Sequence, residues 1–111
     1  MDDCANLDFL SLRRQARAEQ VEVVLRRLER HRAIAQNLLE GPSEITLNLM
    51  TQARAMVALW RAERICSLDY IEQWDSVLGQ SAVAIAAGIT TESASWDAMR
   101  QCSPFPNLEP L

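Results

Sequence analysis

The stretch Leu38 to Leu49, LLEGPSEITLNL, decides the fold. Gly41 suits the end of one helix and Pro42 with Ser43 suits the first positions of another, so the chain is expected to reverse here between two helices. Upstream, no Gly or Pro interrupts the run from Leu7 to Leu39. That run predicts one long helix of about 50 Å, since each helical residue adds about 1.5 Å. Leu7, Leu10, Val21, Val24, Leu28, Ala35 and Leu38 fall on an alternating three-four spacing and share one stripe. Arg14, Arg17 and His31 occupy positions of that stripe where apolar residues belong. Either the helix projects beyond its packing partner there, or the stripe consists of two pieces flanking a polar break.

Downstream, the spacing predicts a second helix over 43–66 with Ile45, Leu49, Ala53, Met56, Val57 and Trp60 on one face. Ser67-Leu68-Asp69 offers a capping serine and an acid in the next first turn, leaving almost no loop. The second and third helices are therefore expected to form a tight hairpin. The third is read over 68–87, with Ile71, Trp74, Leu78, Ala82, Ile85 and Ile89 inward and Gly88 ending it; the small residues from Ser81 to Ala87 permit close approach of a neighbour. Thr90-Thr91-Glu92 is read as the start of a short fourth helix reaching Cys102. Three of the four prolines lie in 103–111, which is expected to be extended. The expectation is one all-α helical bundle domain over 1–102, followed by an extended Pro-rich tail over 103–111.

Composition agrees with a folded helical chain. Hydrophobic residues are 49% and charged residues 23% of 111, far from the disordered corner, while 3 Gly and 5% aromatics leave little turn chemistry for many strands. The net charge of -4 is the wrong sign for a chain whose main work is neutralising phosphate. All 11 cationic residues are Arg, which removes Schiff-base chemistry and a P-loop lysine, and which we read as the bias of a GC-rich genome. Cys4, Cys66 and Cys102 are odd in number and have no paired spacing, so neither a disulfide framework nor a metal site is expected. The acidic start Met1-Asp2-Asp3-Cys4 and the lack of a long apolar run give the expectation of a cytoplasmic chain with no membrane span. No cofactor is expected.

Four groups of residues are candidates for contact with a partner. The first is the arginine series Arg13, Arg14, Arg17, Arg26, Arg27 and Arg30, which with Arg32 against three glutamates gives residues 11–32 a charge of +4, while the chain beyond residue 32 carries -5. A basic helix of this kind meets an acidic protein surface or tracks phosphates. Its charge is also partly accounted for if Arg26 pairs with Glu22 and Glu29, or if the helix packs on the acidic remainder of its own chain. The second group is Asp69, Glu72 and Asp75, three apart along the hairpin, which serve the helix dipole and pair with Arg61 and Arg64, or face a basic partner. Without a Glu-x-x-His pair they do not suggest a di-metal centre. The third is Tyr70, expected on the flank of helix three outside a core where Trp60, Trp74 and Trp96 meet. The fourth is Phe105 and Leu108, which with Leu111 either dock in a partner's groove or fold back on the bundle.

His31 is the lone histidine, and a cysteine-histidine catalytic pair would need folding to bring a thiol beside it; no local signature supports that. The reading is of a non-catalytic protein-protein interaction module, a small regulator or inhibitor that occludes a macromolecular partner. Self-association accompanies it, because a second copy would complete the stripe of helix one. A nucleic-acid-associated regulator using the arginine helix is the alternative.

Overall fold

The computed structural model describes the backbone of residues 2–106 and the side chains of 9–106, so that the side chains of Cys4 and Leu7 lie outside the described part. Five helices follow in order, α1 Asp2–Glu40, α2 Ser43–Glu63, α3 Leu68–Leu78, α4 Ala82–Ile89 and α5 Ala94–Gln101, with no strand among the described residues. None of these helices is long and apolar enough to cross a membrane.

The reversal falls where Gly41 and Pro42 place it, though not through the left-handed conformation in which glycine most often ends a helix. No glycine has a positive φ. Gly41 is required because a Cβ there would overlap the Asn37 carbonyl, which accepts the Gly41 amide at 2.9 Å and the Thr46 hydroxyl at 3.1 Å. Pro42 takes the N-cap position of α2, and its carbonyl receives the amides of Ile45 and Thr46.

At the other end of α2 the chain turns through Arg64, which adopts the left-handed conformation at φ 54°. This makes the α2–α3 hairpin as tight as the spacing predicts. Ser67 sits at the N-cap of α3, but its hydroxyl makes no capping bond.

The expected single third helix is two. It breaks at Gly79-Gln80-Ser81, where Ser81 caps α4 by accepting the Ala84 amide at 3.2 Å. Gly88 lies inside α4 instead of ending it, and its missing Cβ admits the Trp96 ring, whose Cζ2 would be 3.0 Å away. Thr90 and Thr91 close α4 by donating to the carbonyls of Ala86 and Ala87 at 2.7 and 2.8 Å. The start of α5 belongs to Ser93, whose hydroxyl accepts the Trp96 amide.

The core collects Ile34 and Leu38 of α1, Leu49, Ala53, Val57 and Trp60 of α2, Ile71, Trp74 and Leu78 of α3, Ile85 and Ile89 of α4, and Met99 of α5. Trp74 is at its centre, edge-on to Trp96 at 5.8 Å and to Phe105 at 6.0 Å. Such edge contacts contribute about 1 kcal/mol each beyond the burial itself. The three tryptophans do share one cluster, with Trp96 at its margin. Ile45 and Met56, expected inward, remain exposed on the flank of α2.

α1 is unbroken, and the gap in its stripe marks projection. Only from Leu28 onward does it enter the core; Leu10 and Val21 are exposed. The radius of gyration is 17.7 Å and the longest extent 63 Å. A compact chain of this length would have a radius of about 13 Å, so the projecting helix accounts for the elongation.

Candidate functional site

Residues 9–26 form an arm about 27 Å long at the ordinary helical rise. Every side chain in it is exposed except Val23 and Val24, which are half-buried. Its apolar residues lie on two sides. At 100° per residue, Phe9, Leu12 and Ala16 share one stripe, while Leu10, Val21 and Leu25 share another. Phe9 is 58% and Leu12 63% exposed. A helix bathed in solvent is ordinarily polar on all sides, so large apolar residues exposed on two sides set this segment apart.

The arginines interleave with these residues. Arg13, Arg14, Arg17 and Arg26 are exposed, whereas Arg27 and Arg30 are half-buried where α1 meets the bundle. The Arg13 guanidinium lies over the Phe9 ring at 5.6 Å. The internal pairing expected for Arg26 with Glu22 and Glu29 is not formed. The basic helix touches acidic chain in one ion pair among the described residues, Arg32 to Glu92 at 3.1 Å. The arm's charge therefore remains available.

The hairpin presents the opposite sign. Asp69, Glu72 and Asp75 are all exposed, and Asp75 receives Arg61 at 3.1 Å, an exposed pair of small energetic weight. Arg64, committed to the turn, makes no ion pair among the described residues. Around this corner Ile65 and Leu68 are exposed, Leu68 at 60%. Tyr70, expected outside the core, is half-buried and packs against it.

The tail residue Phe105 takes the second of its two alternatives, folding back on the bundle. It is buried in the core with Pro104, so it covers its own bundle and has no surface left for a partner's groove. Leu108 lies outside the described residues. What fastens 103–105 is His31, 1% exposed and so inside the molecule. Its Nδ1 is 2.7 Å from the Arg27 carbonyl, which can only accept, so Nδ1 carries the proton. Nε2, without a proton, accepts the Ser103 hydroxyl at 2.7 Å, and the Ser103 oxygen in turn accepts the Phe105 amide at 3.3 Å.

Burial holds the imidazole down at about 4, assisted by the nearby charges of Arg100 and Arg30 and only partly opposed by the Arg27 carbonyl. A hydroxyl on an imidazole is the skeleton of a nucleophile and its base. This imidazole, sealed from solvent and weakly basic, serves to clamp residues 103–105 to α1. Among the described residues no cysteine bonds to it. Cys66 lies beside Cys102, and burial followed by that neighbour pushes the Cys66 thiol up, away from thiolate chemistry.

Arg100 went unforeseen. It is buried, donating from Nη1 to the carbonyls of Ile89 and Thr91 at 3.0 and 2.8 Å and from Nη2 to Asp97 at 2.7 Å. It ties α5 to the end of α4. The Asp97-x-x-Arg100 spacing was the available signal, but such a spacing is usually a surface pair. Among the described residues no group of three His, Cys, Asp or Glu side chains could hold a metal ion. The chain matches no known protein family, no curated protein and no solved structure.

Proposed function

We propose that this protein is a non-catalytic interaction module, a small regulator or inhibitor that grips and occludes a protein partner in a reducing, cytoplasmic setting. The observation that carries the reading is the arm: residues 9–26 expose Phe9, Leu10, Leu12, Val21 and Leu25 together while the core is complete without them. Large apolar residues left exposed along a projecting element mark a contact surface, and those closely interleaved with arginine fit a protein surface of apolar and acidic character. A helix that only tracked phosphates would have no use for Phe9 and Leu12.

The test is capture from the native host extract by the full-length chain, with and without nuclease, beside a Leu10→Glu, Leu12→Glu variant. A protein retained after nuclease by the parent chain and lost by the variant is the expected result. Retention of nucleic acid alone, with every protein released by nuclease, would replace this reading with the nucleic-acid one.

A further inference from the structure

We infer that a second copy of this chain covers the arm, the basic apolar arm of each copy docking on the acidic apolar corner between α2 and α3 of the other. The inference rests on the interaction reading above and names the partner. Two surfaces of the same molecule match. From residue 9 to residue 18 the arm carries Arg13, Arg14 and Arg17 and no acid, with exposed Leu10 among them and the exposed Phe9 ring beneath the Arg13 guanidinium. The corner carries Glu63, Asp69 and Glu72, none in an ion pair among the described residues, against Arg64 as the neighbouring unpaired cation. Its apolar part is Ile65 and Leu68, both more than half exposed. Each surface thus combines large apolar side chains with uncompensated charge, and the charges are of opposite sign, the arrangement that gives an interface its register and speeds encounter.

The alternatives within a pair of copies fit less well. Two arms side by side in parallel set Arg13, Arg14 and Arg17 against their own counterparts. Two antiparallel arms leave Ile65 and Leu68 in water. Reciprocal arm-to-corner docking covers both surfaces in both copies and closes on a two-fold axis, so it ends at a dimer instead of growing. At this corner the left-handed Arg64 stops α2, and Ile65, the next residue, is left exposed before α3 begins.

The experiment is sedimentation velocity of the full chain over a concentration series, with two charge-reversed variants. One carries Arg13→Glu, Arg14→Glu and Arg17→Glu; the other carries Glu63→Arg, Asp69→Arg and Glu72→Arg. All six positions are exposed, so far-UV circular dichroism should match the parent. The parent is expected to dimerise, more weakly as salt is added. Each variant alone should dimerise at least about tenfold more weakly, and an equimolar mixture of the two should regain dimer, since the acidic arm of one then meets the basic corner of the other.

A parent that stays monomeric, a dimer indifferent to salt, or a mixture that remains monomeric would overturn the inference. If the parent is monomeric but its arm still retains a protein from extract, the second copy alone is removed. If neither association is found, the interaction reading falls with it.

Discussion

Acidification should loosen this protein through one residue. His31 is neutral in the fold and titrates at about 4, whereas in the unfolded chain it titrates near 6.5. Below pH 6.5 the unfolded state therefore takes up a proton that the folded state refuses. The sign follows: this contribution to stability is complete above pH 6.5 and drains away as pH falls toward 4. Each pH unit between those two titration points is equivalent to about 1.4 kcal/mol, so the loss reaches about 2 kcal/mol at pH 5 and about 3 kcal/mol at pH 4. That is a large share of the roughly 5–15 kcal/mol that holds a typical domain together.

The perturbation that isolates it is His31→Gln, which keeps a polar side chain and cannot titrate. At pH 7 the variant should be less stable by about 1–3 kcal/mol, having disturbed the bonds to the Arg27 carbonyl and Ser103 and the edge contact with Phe105 at 6.5 Å. Urea denaturation of both proteins at pH 7, 6, 5 and 4 gives the difference at each pH, in which the carboxylates common to both cancel. The parent's advantage should shrink by about 2 kcal/mol between pH 7 and pH 5. A difference that stays constant across the series would refute both the burial of His31 and the clamp built on it.

Other substitutions probe the rest of the fold. Asp97→Asn removes the charge partner of buried Arg100 and should cost about 1–3 kcal/mol by thermal or urea unfolding, the half-buried carboxylate moderating the loss. Gly41→Ala puts a methyl into the Asn37 carbonyl and should destabilise by about 1–3 kcal/mol, even though alanine is the better helix former. Leu12→Gln, far from the core, should change the unfolding free energy by less than about 0.5 kcal/mol, and a larger loss would show the arm packed in the single chain. Trp74→Ala should lower the unfolding free energy by about 3–5 kcal/mol in urea denaturation, the usual cost of removing a buried aromatic, and a loss below about 1 kcal/mol would contradict its central place in the core.

Local chemistry was readable where local chemistry decides. Glu40-Gly41-Pro42 ends one helix and starts another whatever the rest does, and the Leu49–Ala53–Val57–Trp60 spacing reaches the core because it matches the helical period. The break at Gly79-Gln80-Ser81 was obscured by that same period: Trp74, Leu78, Ala82 and Ile85 continue a helical stripe across it, and two short helices keep the stripe inward as well as one would. Long-range partnerships were out of reach. His31 and Ser103 are 72 residues apart, and nothing near either announces the other. Arg100 resembles a surface cation until two backbone carbonyls, one from the last residue of α4 and one from the connection to α5, close around it.

The candidate site was legible in part. The arginines of the arm and the acids of the hairpin are exposed, as side chains meeting a partner must be. What periodicity left undecided was whether Arg14 and Arg17 interrupt a packed stripe or lie on a helix that has left the bundle, because both give the same spacing. Phe105 was open for a similar reason, an extended apolar segment serving its own core or another's equally well.

Amide hydrogen exchange along α1, followed from dilute to concentrated protein, tests the arm most directly. The expected result is slow exchange over 28–40 at every concentration, fast exchange over 9–26 in dilute solution, and protection that grows with concentration over 9–26 and around Ile65 and Leu68. Protection over 9–26 that is already complete in dilute solution would show the arm packed within its own chain, and protection that never develops would show that no second copy covers it.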